Sequence, residues 1–291
     1  MAARSNNTPL IAIVGETGSG KTSLGLLLAQ QCSGEIIAAD SRTVYKGLDI
    51  GTAKPNHDEQ KLVRHHLIDV VNPETKFSAA EFKRQAYIAI ESIAGRDNIP
   101  FLVGGTGLYV DAVLYDFTFR SPPNPAQRVY LESLTIDELQ RLINDQGLPM
   151  PENKQNPRHL IRTIETKGAR PQRQPLRPNT LVIGIKTDGH DLRTKIEHRV
   201  DAMLASGLEQ EVRRASLVYG WDAPGMQSPG YKEWKEYFEG TASLEEVRAK
   251  CIQGHLMLAK RQRTWFRRNK NIHWTCKTEE AVDLVTTFLN K

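Results

Sequence analysis

The chain is poor in cysteine. Cys32, Cys251 and Cys276 are scattered through 291 residues. An odd, dispersed set makes no disulfide framework and no metal-ligand spacing, so these read as buried or incidental thiols. No apolar run approaches the roughly 18 residues that a membrane helix needs, which argues against a membrane protein. Residues 1–9 lack a long apolar stretch and a small-residue cleavage pattern, so no signal peptide is read there. A cytoplasmic monomer with no membrane association is expected. There is no internal repeat and no low-complexity tract, which argues against a repeat array.

What is present is an ordinary globular composition, 39% hydrophobic and 25% charged, with mean hydropathy −0.46. The length suits one large domain, or a core with a smaller appendage. The net charge is +5 and the pI about 9.0. The distribution says more than the total. Residues 154–177 carry seven Lys/Arg against one acid, Glu165, and residues 248–270 carry eight and no acid. Two such blocks suit a polyanion's phosphates, or they are two solvated basic faces.

The first third alternates short apolar runs with helical stretches. Runs at 10–14, 35–39, 66–71 and 99–103 read as buried strands, and 21–31 and 79–93 as helices. This pattern predicts an α/β fold, a parallel sheet covered by helices on both faces. The breaker clusters 121–125 and 147–157 bracket a helical stretch, 126–146. We therefore divide the chain into a core (1–116), a small helical insertion (117–156) and a second part of the core (157–291). The second part should contain helix 158–167, strand 181–185, helices 190–217, 229–238 and 243–268, strand 271–274 and helix 279–290.

Gly15-Glu-Thr17-Gly18-Ser19-Gly20-Lys21-Thr22 fits G-x-x-x-x-G-K-[ST], after a strand and before a helix. Its glycines let the backbone wrap an anion with amides pointing inward, and the helix N-terminus adds a favourable dipole. Lys21 supplies a cation, and Thr22 can ligate Mg²⁺. The motif calls for a di- or triphosphate and leaves its fate open among kinases, ATPases and transferases that release diphosphate.

Asp40 follows the second apolar run, so it belongs at the carboxyl edge of a parallel strand, beside the phosphate loop. An acid there can hold Mg²⁺, act as a general base, or serve as a cap. Residues 47–55 are too rich in glycine and proline for a long element and read as a loop over the site. Gly104-Gly105-Thr106-Gly107 permits close approach of a ligand, or makes a tight strand-to-helix turn.

Together these segments resemble the tRNA dimethylallyltransferase (isopentenyltransferase) family. The resemblance rests on GETGSGKT (15–22), DSRTVYKGLDIGTAKP (40–55), HHLIDVV (65–71), FSAAEF (77–82), PFLVGGTGLYVDAVL (100–114), NPRHLIRTIE (156–165), RVDAML followed by GL and EV (199–212), GYKE (230–233) and AKRQRTWFRR (259–268). It implies a P-loop core like that of the nucleotide kinases, with an inserted helical domain. Dimethylallyl diphosphate would be the donor, the exocyclic amine of adenosine 37 of tRNA the acceptor, and Mg²⁺ the cofactor. Carried over by position, Asp40 would be the general base, with Lys21 and Thr106 beside the reacting centre. Gly15, Thr17, Gly18, Ser19, Gly20, Lys21 and Thr22 would hold the diphosphate, Thr22 also the metal. Ser41, Arg42 and Thr43 would touch the flipped-out adenosine. Arg158, His159, Leu160, Ile161 and Arg162 would contact tRNA or the diphosphate, and Arg261 and Arg263 of the second basic block would contact tRNA. Trp265 and Phe266 read as helix-core packing more readily than as a stacking platform.

The chain departs from the family pattern at five places, one of them Gly18, where the family often has alanine. Glu16 replaces a proline or alanine and is expected to point away from the anion. Arg42 and Thr43 replace methionine and glutamine, and Pro229 stands where the family has isoleucine before Gly-Tyr-Lys-Glu. No Cys/His zinc pattern follows the core. The rival readings are an adenylate isopentenyltransferase, a small-molecule P-loop kinase and a non-catalytic tRNA-binding protein. The first two leave DIGTAKP unexplained, and the third leaves Asp40, Lys21 and Thr22 without a use.

Overall fold

The structure is a computed structural model that describes residues 8–119, 124–169, 172–187 and 189–291. Ser121 to Pro123 of the first breaker cluster and Arg170 of the first basic block lie outside the described residues. Two compact units are present, one formed by Met1–Tyr115 and Leu176–Lys291, the other by Asp116–Pro175.

The larger unit begins with β1 (Leu10–Val14), α1 (Lys21–Gln31), β2 (Gly34–Ala38), α2 (His57–Leu62), β3 (His65–His66), α3 (Ala79–Ala94), β4 (Ile99–Gly104) and α4 (Gly107–Leu114). The smaller unit follows with α5 (Pro125–Glu132), α6 (Ile136–Asp145) and α7 (Pro157–Glu165). The chain returns to the larger unit through β5 (Thr180–Ile185), α8 (Gly189–Ala205), α9 (Leu208–Tyr219), two 3₁₀ turns (Pro224–Gln227 and Lys232–Trp234), α10 (Lys235–Phe238), α11 (Leu244–Phe266), β6 (His273–Thr275) and α12 (Thr278–Leu289). No helix among the described residues is long and apolar enough to cross a membrane.

The strands form a six-stranded sheet in the order β3-β2-β4-β1-β5-β6. Every pairing is parallel. All residues of β1 are buried, as a central parallel strand covered on both faces requires. On one face Leu24 and Leu28 of α1 and Ala281 and Val285 of α12 pack on Ile11, Ile13, Phe101 and Ile183. A second core joins Ile196 and Val200 of α8, Leu208 and Val212 of α9, Tyr231, Trp234, and Val247 and Cys251 of α11 with Val44 and Leu48. That cluster ties the segment after β2 to the C-terminal helices. The carboxyl edge of the sheet, where β1, β2 and β4 end, is where open α/β sheets bind ligands.

The α/β expectation holds, and several elements differ from their sequence reading. The run at 66–71 is a strand for His65–His66 alone. Leu67 (φ 62°) and Asp69 (φ 53°) are left-handed and end the extended chain. Asp69 and Val70 amides then bond the Thr43 and Val44 carbonyls, so this segment braces the turn after β2. The stretch 126–146 is two helices because Thr135 starts a new one. Its side chain takes the Glu138 amide, and Glu138 reaches back to the Thr135 amide at 2.8 Å, a capping box worth about 1 kcal/mol. The stretch 190–217 breaks at Gly207 (φ 95°). Residues 229–238 hold one 3₁₀ turn and one short helical turn. Helices α2 and α4 are additional to the sequence reading.

The insertion is longer than 117–156, running from Asp116 to Pro175. Helix α7, expected in the core, belongs to it. Leu160, Ile161 and Ile164 form an apolar stripe that packs against Leu131, Leu139 and Ile143. Such a stripe does not say which neighbour it faces.

Candidate active site

The phosphate loop leaves the end of β1 and enters α1 through left-handed Gly18 (φ 81°) and Gly20 (φ 86°), a conformation that glycine adopts without strain. Glu16, Thr17 and Ser19 are buried. The Ser19 hydroxyl has no protein partner. Lys21 Nζ donates to the Glu16 carbonyl at 3.3 Å and lines a pocket together with Thr17, Thr22 and Asp40. Burial pushes the Lys21 ammonium down to about 8, Asp40 opposes the shift, Arg199 adds to it, and Glu16 opposes it.

Asp40 follows β2 directly and lines the same pocket. Its Oδ1 accepts the Arg42 amide at 2.8 Å, which fixes the carboxylate against its own turn. Ser41 donates its amide to Thr106 Oγ1 at 2.9 Å, and Thr106 Oγ1 donates to Ser41 Oγ at 3.3 Å. The Thr106 amide bonds the Ala39 carbonyl. Thr106 thus clamps the Asp40 turn to the end of β4. Arg42 and Thr43 line the pocket, and the buried Thr43 hydroxyl has no protein partner.

The Gly104–Gly107 turn resolves toward tight packing. A Cβ on Gly104 would lie 2.1 Å from the Ala39 carbonyl oxygen, so only glycine lets β4 end against β2. Gly105 abuts Gln262 and Gly107 abuts Trp265 in the same way.

Residues 47–55 form the loop that the sequence suggested, with Gly51, Thr52, Ala53 and Pro55 lining the pocket. Its support comes from far along the chain. Glu211 accepts the amides of Asp49 (2.9 Å), Ile50 (3.0 Å) and Gly51 (3.1 Å). Tyr231 donates its hydroxyl to the same carboxylate at 2.6 Å. Burial, then the Glu211 charge, hold the Tyr231 phenol far above its ordinary range, so it stays a donor. Lys54 Nζ is spent on Tyr45 carbonyl, Asp49 and Asp69, at 2.7, 2.6 and 2.6 Å.

Three residues that sequence reasoning gave no role complete the pocket. Arg199 of α8 donates to Thr17 Oγ1 at 2.9 Å, and burial lowers its pKa while Asp40 opposes that. Gln262 of α11 accepts the Thr17 amide at 2.7 Å. His255, also on α11, lines the pocket and is buried. Arg199 and Gln262 stood inside quoted stretches, RVDAML and AKRQ, but no local spacing says that either faces the loop.

The basic blocks divide. Arg263, one of the expected tRNA contacts, is partly exposed and also has a partner inside the fold. It holds the buried Glu16 carboxylate through Nε at 2.8 Å and Nη2 at 3.0 Å, and Thr187 bonds the same carboxylate. Glu16 therefore faces α11, and Arg263 anchors the phosphate loop. Arg248 pairs with Asp201 and Lys250 with Glu236. Lys260, Arg261, Arg267, Arg268 and Lys270 are exposed. Phe266 is core; Trp265 is partly exposed and donates Nε1–H to Asp111 at 3.0 Å. In the insertion, Arg158 and His159 are exposed and Arg162 bonds Glu165 at 3.2 Å. Leu160 and Ile161 are 0% and 3% exposed, so their side chains build the insertion's core and cannot touch tRNA.

A sequence profile described as IPP transferase matches residues 43–269. A tRNA dimethylallyltransferase from Roseiflexus sp. is 42% identical over 281 residues, covering 91% of this chain and 92% of its own. One from Geobacillus thermodenitrificans is 38% identical over 286 residues, covering 93% and 91%. The crystal structure of a full-length tRNA isopentenylpyrophosphate transferase from Bacillus halodurans matches with TM-score 0.76 and 33% identity over 98% of this chain and 97% of that one. A eukaryotic dimethylallyltransferase captured acting on tRNA superposes with TM-score 0.82 over 98% of this chain and 80% of its own, at 24% identity, a likeness of fold. Relatedness of that degree along nearly the whole length leaves one conclusion about ancestry: the chain belongs to the IPP transferase family.

Proposed function

We propose that this protein is a tRNA dimethylallyltransferase. It transfers the dimethylallyl group of dimethylallyl diphosphate to the exocyclic amine of adenosine 37 and releases diphosphate. The observation that carries the reading is the meeting of Asp40 with Lys21 and Arg199 in one pocket at the mouth of the phosphate loop. A carboxylate and a diphosphate cradle are what an amine-plus-allylic-diphosphate reaction needs. The carbon–oxygen bond to diphosphate breaks, the amine nitrogen bonds that carbon, and Asp40 takes the amine proton. The loop amides, Lys21 and Arg199 carry the charge that grows on the leaving diphosphate.

The residues present fit Mg²⁺. The Thr22 hydroxyl is a hard oxygen donor at the loop, and diphosphate and water would supply the remaining oxygens. When bound, the ion would neutralise diphosphate charge. The target base must leave its stack to reach the pocket, and Ser41, Arg42 and Thr43 are the residues proposed to receive it, with Arg42 and Thr43 in the pocket lining and the Thr43 hydroxyl having no protein partner to give up. Arg158 and His159 of the insertion, and Arg261 with its exposed basic neighbours on α11, are the proposed contacts to the tRNA backbone. An adenylate isopentenyltransferase would not need those basic surfaces.

The test is transfer from labelled dimethylallyl diphosphate, with Mg²⁺, to total tRNA or to free AMP and ADP. Label in tRNA is expected, and label confined to the free nucleotides sinks the proposal. Asp40→Ala should abolish transfer and spare tRNA binding; retained turnover removes Asp40 as the base.

A further inference from the structure

His255 is the pocket residue that the reaction above leaves without a task. It lies in α11, one turn before Leu258 and two turns before Gln262, on the helix face that lines the pocket. The residue is 6% exposed, and neither ring nitrogen has a hydrogen-bond partner in the protein. A buried imidazole costs stability unless its nitrogens are satisfied, so an unpaired ring facing a binding pocket calls for a ligand that supplies the partner. Burial, reinforced by the charge of Arg199, pushes its pKa down to about 4. The ring is therefore neutral, with one N–H donor and one acceptor nitrogen. The cation acting on it is the one bonded to Thr17 Oγ1 of the phosphate loop. The same helix face reaches that loop through Gln262. Arg199 is thus common to the surroundings of the ring and to the phosphate loop. A neutral donor there adds a hydrogen bond without adding a further cation to Lys21 and Arg199.

We propose that His255 is a further ligand-binding residue of this pocket, whose ring N–H donates to an oxygen of the diphosphate held by the phosphate loop. This rests on the reading of the pocket as a diphosphate site.

The experiment is calorimetric titration of the full chain with inorganic pyrophosphate. Wild type is compared with His255→Gln, His255→Leu, His255→Phe and Lys21→Ala. Leu and Phe remove the donor, and Phe keeps a planar ring; Gln keeps an N–H. Loss of a hydrogen bond to a charged acceptor predicts roughly tenfold weaker binding for Leu and Phe, with Gln within about threefold of wild type. Melting temperatures of Leu and Phe should stay at or above that of wild type, since a buried polar ring is removed. Weakened binding in Lys21→Ala with unchanged binding in Leu and Phe overturns the proposal and leaves the diphosphate reading standing. Wild type that does not bind pyrophosphate, or Lys21→Ala that binds as wild type does, overturns both. A second measurement needs no folded Leu or Phe variant. The ¹⁵N resonances of the His255 ring, assigned by their loss in His255→Gln, should shift when pyrophosphate is added to wild type. Unmoved ring resonances at saturation overturn the proposal.

Discussion

The Glu211 carboxylate accepts the Tyr231 hydroxyl at 2.6 Å across 20 residues of sequence, and the same carboxylate caps the loop over the active site. Tyr231→Phe removes one bond to a charged acceptor and should cost about 1.5–3 kcal/mol. Glu211→Ala leaves a buried phenol and the amides of residues 49–51 unpaired, and should cost more than Tyr231→Phe. Denaturant melts measure both. The double variant should fall short of the sum, because each change removes the same contact. If the loop shapes the pocket, kcat/KM of Glu211→Gln should also fall roughly tenfold or more in a variant that still folds.

Arg263 and Arg261 lie two positions apart on one helix and should behave differently. Arg263→Ala strands the buried carboxylate of Glu16 and should lower stability by about 1–3 kcal/mol and weaken pyrophosphate binding. Arg261→Ala should leave stability and pyrophosphate binding alone and reduce the salt slope of tRNA binding by about one. Filter binding across a salt series, beside a thermal melt, reads both. Equal salt slopes for Arg261→Ala and wild type would mean that this side chain faces only solvent.

Within the insertion, Leu160→Ala should destabilise that unit by about 2–5 kcal/mol, through lost burial and the cavity left against Leu139 and Ile143. Arg158→Glu, exposed in the same helix, should leave the melt unchanged and weaken tRNA binding. Hydrogen exchange resolved over residues 116–175 distinguishes the two effects.

Lys21 sets a pH limit on the pocket. Its pKa in the folded protein is about 8, against an ordinary 10.5 in the unfolded chain, so folding disfavours its charged form. The penalty is full below pH 8 and is relieved as pH rises from about 8 toward 10.5. Pyrophosphate affinity should run the other way, falling as pH climbs through 8, because the unliganded lysine has lost its proton. Titration calorimetry at pH 7 and pH 9 tests this. Lys21→Met should bind pyrophosphate weakly at both and should not show that fall in affinity.

Much of this molecule is legible where the physics is local. The apolar runs at 10–14, 35–39, 99–103 and 181–185 declare a buried parallel sheet because such strands are covered on both faces. The phosphate loop and Asp40 are legible because their chemistry needs fixed spacings beside strand ends. Segment 66–71 misleads, since its apolar content serves the turn at 43–46 while Leu67 and Asp69 break the strand by backbone angle alone. Helix α7 misleads because its stripe finds partners in α6 and not in the sheet. Arg199, Gln262 and Glu211 reach the site from 182, 245 and 160 or more residues away in sequence. No periodicity or spacing encodes those meetings; only packing does. Arg263 shows the converse: in sequence it is one cation in a basic run, and in the fold it is the partner of a buried acid.

The two cations that burial drives down, Lys21 and Arg199, face Asp40 from opposite parts of the chain, one at the start of α1 and one on a helix from the C-terminal half. The unliganded fold therefore holds an uncompensated excess of positive charge out of water, at the junction of its N- and C-terminal sequence. A diphosphate bound there, as proposed, would relieve that strain and so fasten the N- and C-terminal parts of the larger unit together. On the proposed function, free diphosphate at a hundred times its dissociation constant would add about 2.7 kcal/mol to stability, and the donor substrate would act also as a structural tie, acquired on loading and surrendered when diphosphate departs.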